Sequence, residues 1–142
     1  MTNIPLALRL IACGLPVPTF TPGKDGGCAS WITSGEGDDS RHWEVDLSIG
    51  DTCRPFGTDP AAGLLFRCVT TDDGLRLLPD TSDPLLIGFV LSECRKRWPY
   101  IGTWYAPSHP GWMAGLGGRR WYAETEIEAL TAAWESALKT AE

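Results

Sequence analysis

Several things that would define a function are missing from this sequence. No apolar run approaches the ~20 residues that a bilayer-spanning helix needs, so a membrane span is not expected. No C-x-x-C pair occurs. The five cysteines, Cys13, Cys28, Cys53, Cys68 and Cys94, are separated by 15, 25, 15 and 26 residues. Only two histidines, His42 and His109, are available to help them hold zinc, so no local zinc site can be drawn. An odd set of scattered thiols reads as small buried hydrophobes rather than as a disulfide framework. The stretch Gly115-Leu116-Gly117-Gly118 lacks the lysine and the following helix of a phosphate-binding loop. Neither a metal nor a cofactor is expected.

Acidic residues are missing from one region in particular. The chain carries a formal charge of −6, yet residues 95–122 contain no Asp or Glu. They hold Arg95, Lys96, Arg97, Arg119 and Arg120, a local charge of +5 against −11 for the rest. The same window holds Trp98, Trp104, Trp112 and Trp121 with all three tyrosines, Tyr100, Tyr105 and Tyr122. Near the N-terminus, Leu10-Ile11-Ala12-Cys13 has the outline of a lipobox. A signal peptide needs a basic start and an unbroken apolar core, whereas Arg9 interrupts the apolar run here. A cytoplasmic protein is expected.

What is present describes an ordinary folded domain. A chain of 142 residues fits one domain, 1–142. At this size about two thirds of the unfolded surface can be buried, so no disulfide or metal staple is required. Sixteen Gly and eleven Pro imply many turns between short elements.

The pattern predicts a first helix over 4–13, with Asn3 as its cap and Gly14 and Pro16 beyond its end. Residues 17–20 suggest a short strand, and 28–33 and 42–49 read as two strands joined by a polar hairpin loop, 34–41. In the second, Trp43, Val45, Leu47 and Ile49 alternate with His42, Glu44, Asp46 and Ser48. Thr58-Asp59-Pro60 has the chemistry of a helix start, so 61–69 is expected to be a short apolar helix. The turn Asp72-Asp73-Gly74 and a brief strand, 75–78, follow.

Ser82-Asp83-Pro84 is a second start, and 84–98 is expected to be a helix with Ile87, Leu91, Cys94 and Trp98 on one stripe. Whether Leu85–Leu91 is helix or strand is not fixed by periodicity, but the capping start and basic last turn favour helix. Residues 100–106 and 119–123 read as a strand pair around a Gly/Pro loop, 107–118. Thr125 to Glu128 is a capping box opening a last helix, with Ile127, Leu130, Trp134, Ala137 and Ala141 inward. These elements give an α+β class, an antiparallel sheet with helices packed on it. Their order suggests a pseudo-duplicated αββα arrangement sharing one sheet.

Basic groups interleaved with aromatics suit a single nucleic-acid strand, with cations on phosphates and rings on bases. Trp104-Tyr105 and Trp121-Tyr122 would each place one ring on either sheet face. The competing reading is that most of these rings fill the core, and that Arg95, Lys96 and Arg97 complement a helix C-terminus. The loop 107–118 displays His109, Trp112 and Met113, and Trp, Met and Arg are enriched at interfaces. Ser108 beside His109 does not make a nucleophile–base pair, because sequence neighbours do not create that geometry. Glu36, Asp38 and Asp39 lack the ordered ligand series of a calcium loop and read as an acidic surface.

Residues 121–130, Trp-Tyr-Ala-Glu-Thr-Glu-Ile-Glu-Ala-Leu, resemble the strand, Thr-initiated helix and Ala-rich tail of small accessory proteins encoded by phages and prophages. Thr58-Asp59-Pro60-Ala61-Ala62 is similar in character. The resemblance covers about a quarter of the chain and implies a mobile-element protein of the anti-CRISPR or anti-defence kind. The expected function is a non-enzymatic inhibitor or modulator of a host protein or nucleoprotein complex. Its contact residues are expected to be Trp112, Met113, His109, Arg119, Arg120, Arg95, Lys96 and Arg97. A single-stranded nucleic-acid binder using 95–122 is the second expectation. A small enzyme using His109 or a cysteine is the third.

Overall fold

The computed structural model describes residues 3–17, 20–22, 28–33, 41–46, 52–54, 60–108 and 111–140, with 20–46 and Leu75 described by backbone alone. Among these there are three helices and nine strands, all strand pairs antiparallel, an α+β fold. The strands form three separate three-stranded sheets, so no sheet is shared between the halves. Two compact units emerge, one of residues 1–7 and 16–83, the other of 8–15 and 84–142.

Helix α1, Ile4–Cys13, runs from one unit into the other and begins as its cap predicts. The Asn3 Oδ1 accepts a hydrogen bond from the Leu6 amide at 3.2 Å.

In the first unit, β1 (Phe20–Pro22), β2 (Cys28–Thr33) and β3 (Arg41–Asp46) form one sheet in that order. β2 and β3 pair from Thr33 against Arg41 to Cys28 against Asp46, as the hairpin expectation requires. β4 (Thr52–Cys53), β5 (Phe66–Thr71) and β6 (Gly74–Pro79) form the second sheet.

The helix expected over 61–69 is absent, and this is a correction. Residues 60–63 make a turn, and Phe66 opens a strand. A short apolar run serves strand and helix equally. Here pairing with β6 decides: Phe66 and Cys68 turn inward in alternation, and Thr70 and Thr71 lead into the hairpin. That hairpin closes at Asp72-Asp73 with Gly74 at φ +100°, a conformation suited to glycine.

Asp80 and Asp83 are buried in this unit and both have partners. Asp80 accepts from the Ser82 amide and hydroxyl at 2.9 and 2.6 Å and from Arg67 at 3.1 Å. Asp83 accepts from the Leu65 amide at 3.0 Å. These two carboxylates tie the end of β6 to the start of β5, as buried charges require.

The second unit contains α2 (Pro84–Arg95), β7 (Gly102–Ala106), β8 (Gly111–Leu116), β9 (Arg119–Ala123) and α3 (Glu126–Thr140). The helix reading of Leu85–Leu91 holds, but the buried stripe is Leu86, Val90 and Cys94 rather than Ile87, Leu91 and Trp98. An all-apolar run leaves the facing edge open by about one residue, and packing on α3 sets it.

A larger correction concerns 107–118. Residues 111–116 are the central strand, so 100–106 and 119–123 never pair with each other. The connection from β8 to β9 is Gly117-Gly118, both at positive φ (+58° and +83°), the two-residue turn that a twisted hairpin favours. On α3, Ile127, Leu130, Trp134 and Ala137 are buried as expected, and the Glu128 amide donates to Thr125 Oγ1 at 3.2 Å. The expected αββα repeat is therefore replaced by αβββα in this unit.

Candidate functional site: the open face of the β7–β9 sheet

Register sorts the side chains of this sheet. Thr103, Ala114 and Trp121 lie in one cross-strand row, and Trp104, Met113 and Tyr122 in the next, so the two rows occupy opposite faces. α3 covers the first face. Glu126 in its opening turn accepts from the Thr103 hydroxyl, and Ser136 further along accepts from Arg119. Ala114 and Ile101 are fully buried on that side.

The second face carries Gly102, Gly115 and Arg120 in one row and Trp104, Met113 and Tyr122 in the other. Its aromatic side chains are conspicuously unburied: Trp104 is 51% exposed and Tyr122 40%. Tyr100, just before β7, is 90% exposed. Of the seven rings in 95–122, Tyr100, Trp104, Tyr105 and Tyr122 are exposed and Trp98, Trp112 and Trp121 half-buried, while the interior of this unit is filled mainly by aliphatic side chains and Trp134.

Trp104 is held by glycines. A Cβ at Gly102 would meet its Cη2 at 3.1 Å, and one at Gly115 would meet its Cζ3 at 2.9 Å. The benzo half of the indole thus bridges two glycines that face each other across β7 and β8. Alanine at Gly115 would push the ring away, because 2.9 Å is below ordinary contact. Around this ring lies a groove of about 380 Å³ lined by Tyr100, Trp104, Met113, Arg119, Arg120 and the glycines of the β8–β9 turn.

The five basic residues of 95–122 are not equivalent. Arg95 donates to the Ile101 carbonyl at 3.1 Å, and Lys96 pairs with Glu93 at 2.8 Å. Arg97 sits over the Trp98 ring at 4.9 Å. Arg119 sits over Trp121 at 5.0 Å and reaches Ser136. Arg120 alone of the five has a side chain with no hydrogen bond, ion pair or ring contact among the described residues. It pairs by backbone with Gly115, so it rises on the open face beside the Trp104 ring.

Of the expected contact residues, the sheet brings Met113 and Arg120 together on the open face. Trp112 lies on the opposite face, half-buried, its ring edge-on to Tyr105 at 5.6 Å. Arg95, Lys96, Arg97 and Arg119 are engaged within the unit. His109 lies outside the described residues, as do Glu36, Asp38 and Asp39. Trp104, Tyr100 and Gly115 were not among the expected contact residues, although Trp104 and Tyr100 belong to the aromatic window 95–122. The signal that could have found them is the pairing of a tryptophan with glycines on the neighbouring strand, which needs the register first.

Cys53, Cys68 and Cys94 are buried and Cys13 is partly so. Burial pushes the Cys94 thiol up to about 12 and the Cys13 thiol up to about 11, which suppresses the nucleophilic thiolate. Among the described residues no three His, Cys, Asp or Glu side chains cluster as a metal site, and no helix is long and apolar enough to cross a membrane. No protein family, curated protein or solved structure matches the chain.

Proposed function

We propose that this is a non-enzymatic cytoplasmic binding protein that docks on its partner through the open face of the β7–β9 sheet. The observation that carries the reading is Trp104, whose indole rests on Gly102 and Gly115 with about half of its surface exposed. A large ring held in place without being buried is costly in water and suits a contact surface. The partner class is a host protein or nucleoprotein complex, and the role is that of a mobile-element inhibitor or modulator. A binding role is further supported by the groove lining, which contains no His, Cys, Lys, Asp or Glu side chain.

The test compares wild type with Trp104→Ala and Tyr100→Ala in capture from host extract, with circular dichroism to confirm folding. Both side chains are exposed, so the variants should fold. A defined partner retained by wild type and lost by Trp104→Ala is the expected result. Equal retention by Trp104→Ala, or no specific partner, overturns the proposal.

A further inference from the structure

Two chemistries meet on the open face, a flat supported ring and a lone cation. The Trp104 indole has one side against the sheet, where Gly102 and Gly115 supply no side chains, and its remaining surface faces outward. Arg120 stands beside it with no acidic partner among the described residues, while the other four basic residues of the segment are engaged elsewhere. The groove is lined by two arginines and no carboxylate. That excludes the aromatic cage for a methylated ammonium group, where a cation needs rings without a competing positive charge.

A planar ring that also carries negative charge satisfies both groups. We propose that the open face binds a nucleotide of single-stranded nucleic acid, its base stacked on Trp104 and its phosphate at Arg120. The proposal rests on the reading of this face as the contact surface and names what it contacts. Paired bases inside a duplex present no free ring face, so an unpaired strand is the form that fits. Tyr100, almost fully exposed along the same groove, offers a second ring for a neighbouring base. A volume of about 380 Å³ is at the small end for ligand sites, which suits one or two nucleotides rather than a long tract. The acidic remainder of the chain, at −11, argues the same way, since a longer polyanion would meet repulsion.

The experiment is an anisotropy titration of a short labelled oligothymidylate against the full chain at low and at raised salt. Matched arms use the same sequence as a duplex and an oligoglutamate peptide. The expected result is binding of the single strand alone, with a log–log salt slope near about −0.7, the value for one phosphate. Trp104→Ala should weaken it about tenfold or more, the worth of one stacked base. Arg120→Gln should weaken it and flatten the salt dependence. Gly115→Ala keeps the tryptophan but displaces its ring, and should behave like Trp104→Ala.

No binding at low salt overturns the proposal, as does equal binding of duplex or oligoglutamate, or insensitivity to Trp104→Ala. Should the strand fail to bind while partner capture remains Trp104-dependent, the nucleotide assignment falls and the contact surface stands. Capture that survives Trp104→Ala removes both.

Discussion

At the scale of single residues, the glycines around Trp104 explain why the most informative part of the chain was misread. Gly111, Gly115, Gly117 and Gly118, together with Pro107 and Pro110, punctuate 107–118 as a loop. Gly115 is instead a strand residue whose missing side chain makes room for an indole two strand positions along on the neighbouring strand. That reason is non-local, so no window of sequence contains it. The cysteines are the opposite case: three of the four with described side chains, Cys53, Cys68 and Cys94, are buried as scattered thiols without a motif suggest. They also give a clean prediction. With Cys94 held at about 12 and Cys13 at about 11 by burial, both are overwhelmingly thiol at neutral pH. Iodoacetamide at pH 7.5 should label neither in the native protein, and both should react once urea unfolds it, as followed by mass spectrometry. Rapid native labelling of Cys94 would mean that α2 opens readily.

At the scale of elements, capping chemistry marked three helix starts correctly, while the same chemistry at Thr58-Asp59-Pro60 is followed by a turn and a strand rather than a helix. Asn3, Asp83 and Thr125 each stand immediately before a helix. Periodicity did well where one face is wet, as in α3, and poorly where a run is apolar throughout, as at 61–69, where the hairpin partner decides. α3 offers the cleanest test, since Thr125 accepts from the Glu128 amide and Glu126 and Glu128 face the positive end of the helix dipole. Replacing Thr125 by Ala should cost about 1 kcal/mol, measured by urea denaturation. Hydrogen exchange should quicken in the first turn of α3 before it does so elsewhere. A loss confined to the β7–β9 sheet would show that Thr125 acts through the sheet rather than as a cap.

At the scale of the whole molecule, the charge distribution was fully readable from sequence, while its meaning was not. A window of +5 in a chain of −6 suggested a broad basic stripe. The fold dismantles it into four internally engaged cations and one, Arg120, left beside Trp104, because helix ends and edge strands need their own partners. The acidic majority governs behaviour at low pH. Among the described residues Asp80 is the most buried carboxylate. Its burial works to raise the carboxyl, and hydrogen bonds from Ser82 and Arg67 outweigh it and hold the group below the usual carboxylate range. A carboxyl lowered on folding contributes stability that is complete above the unfolded value of about 3.9. That stability is lost as pH falls through the folded value.

Asp80→Asn should therefore destabilise the protein by about 2 kcal/mol at pH 7, the worth of hydrogen bonds to a charged group. The gap should begin to narrow as the medium is acidified below about 3.9 and close below the folded value, where the wild-type carboxyl is neutral as well. Urea titrations of both proteins across that range read the gap directly. A difference that stays constant with pH would assign the role of Asp80 to shape and neutral hydrogen bonding, leaving its charge without effect on the fold.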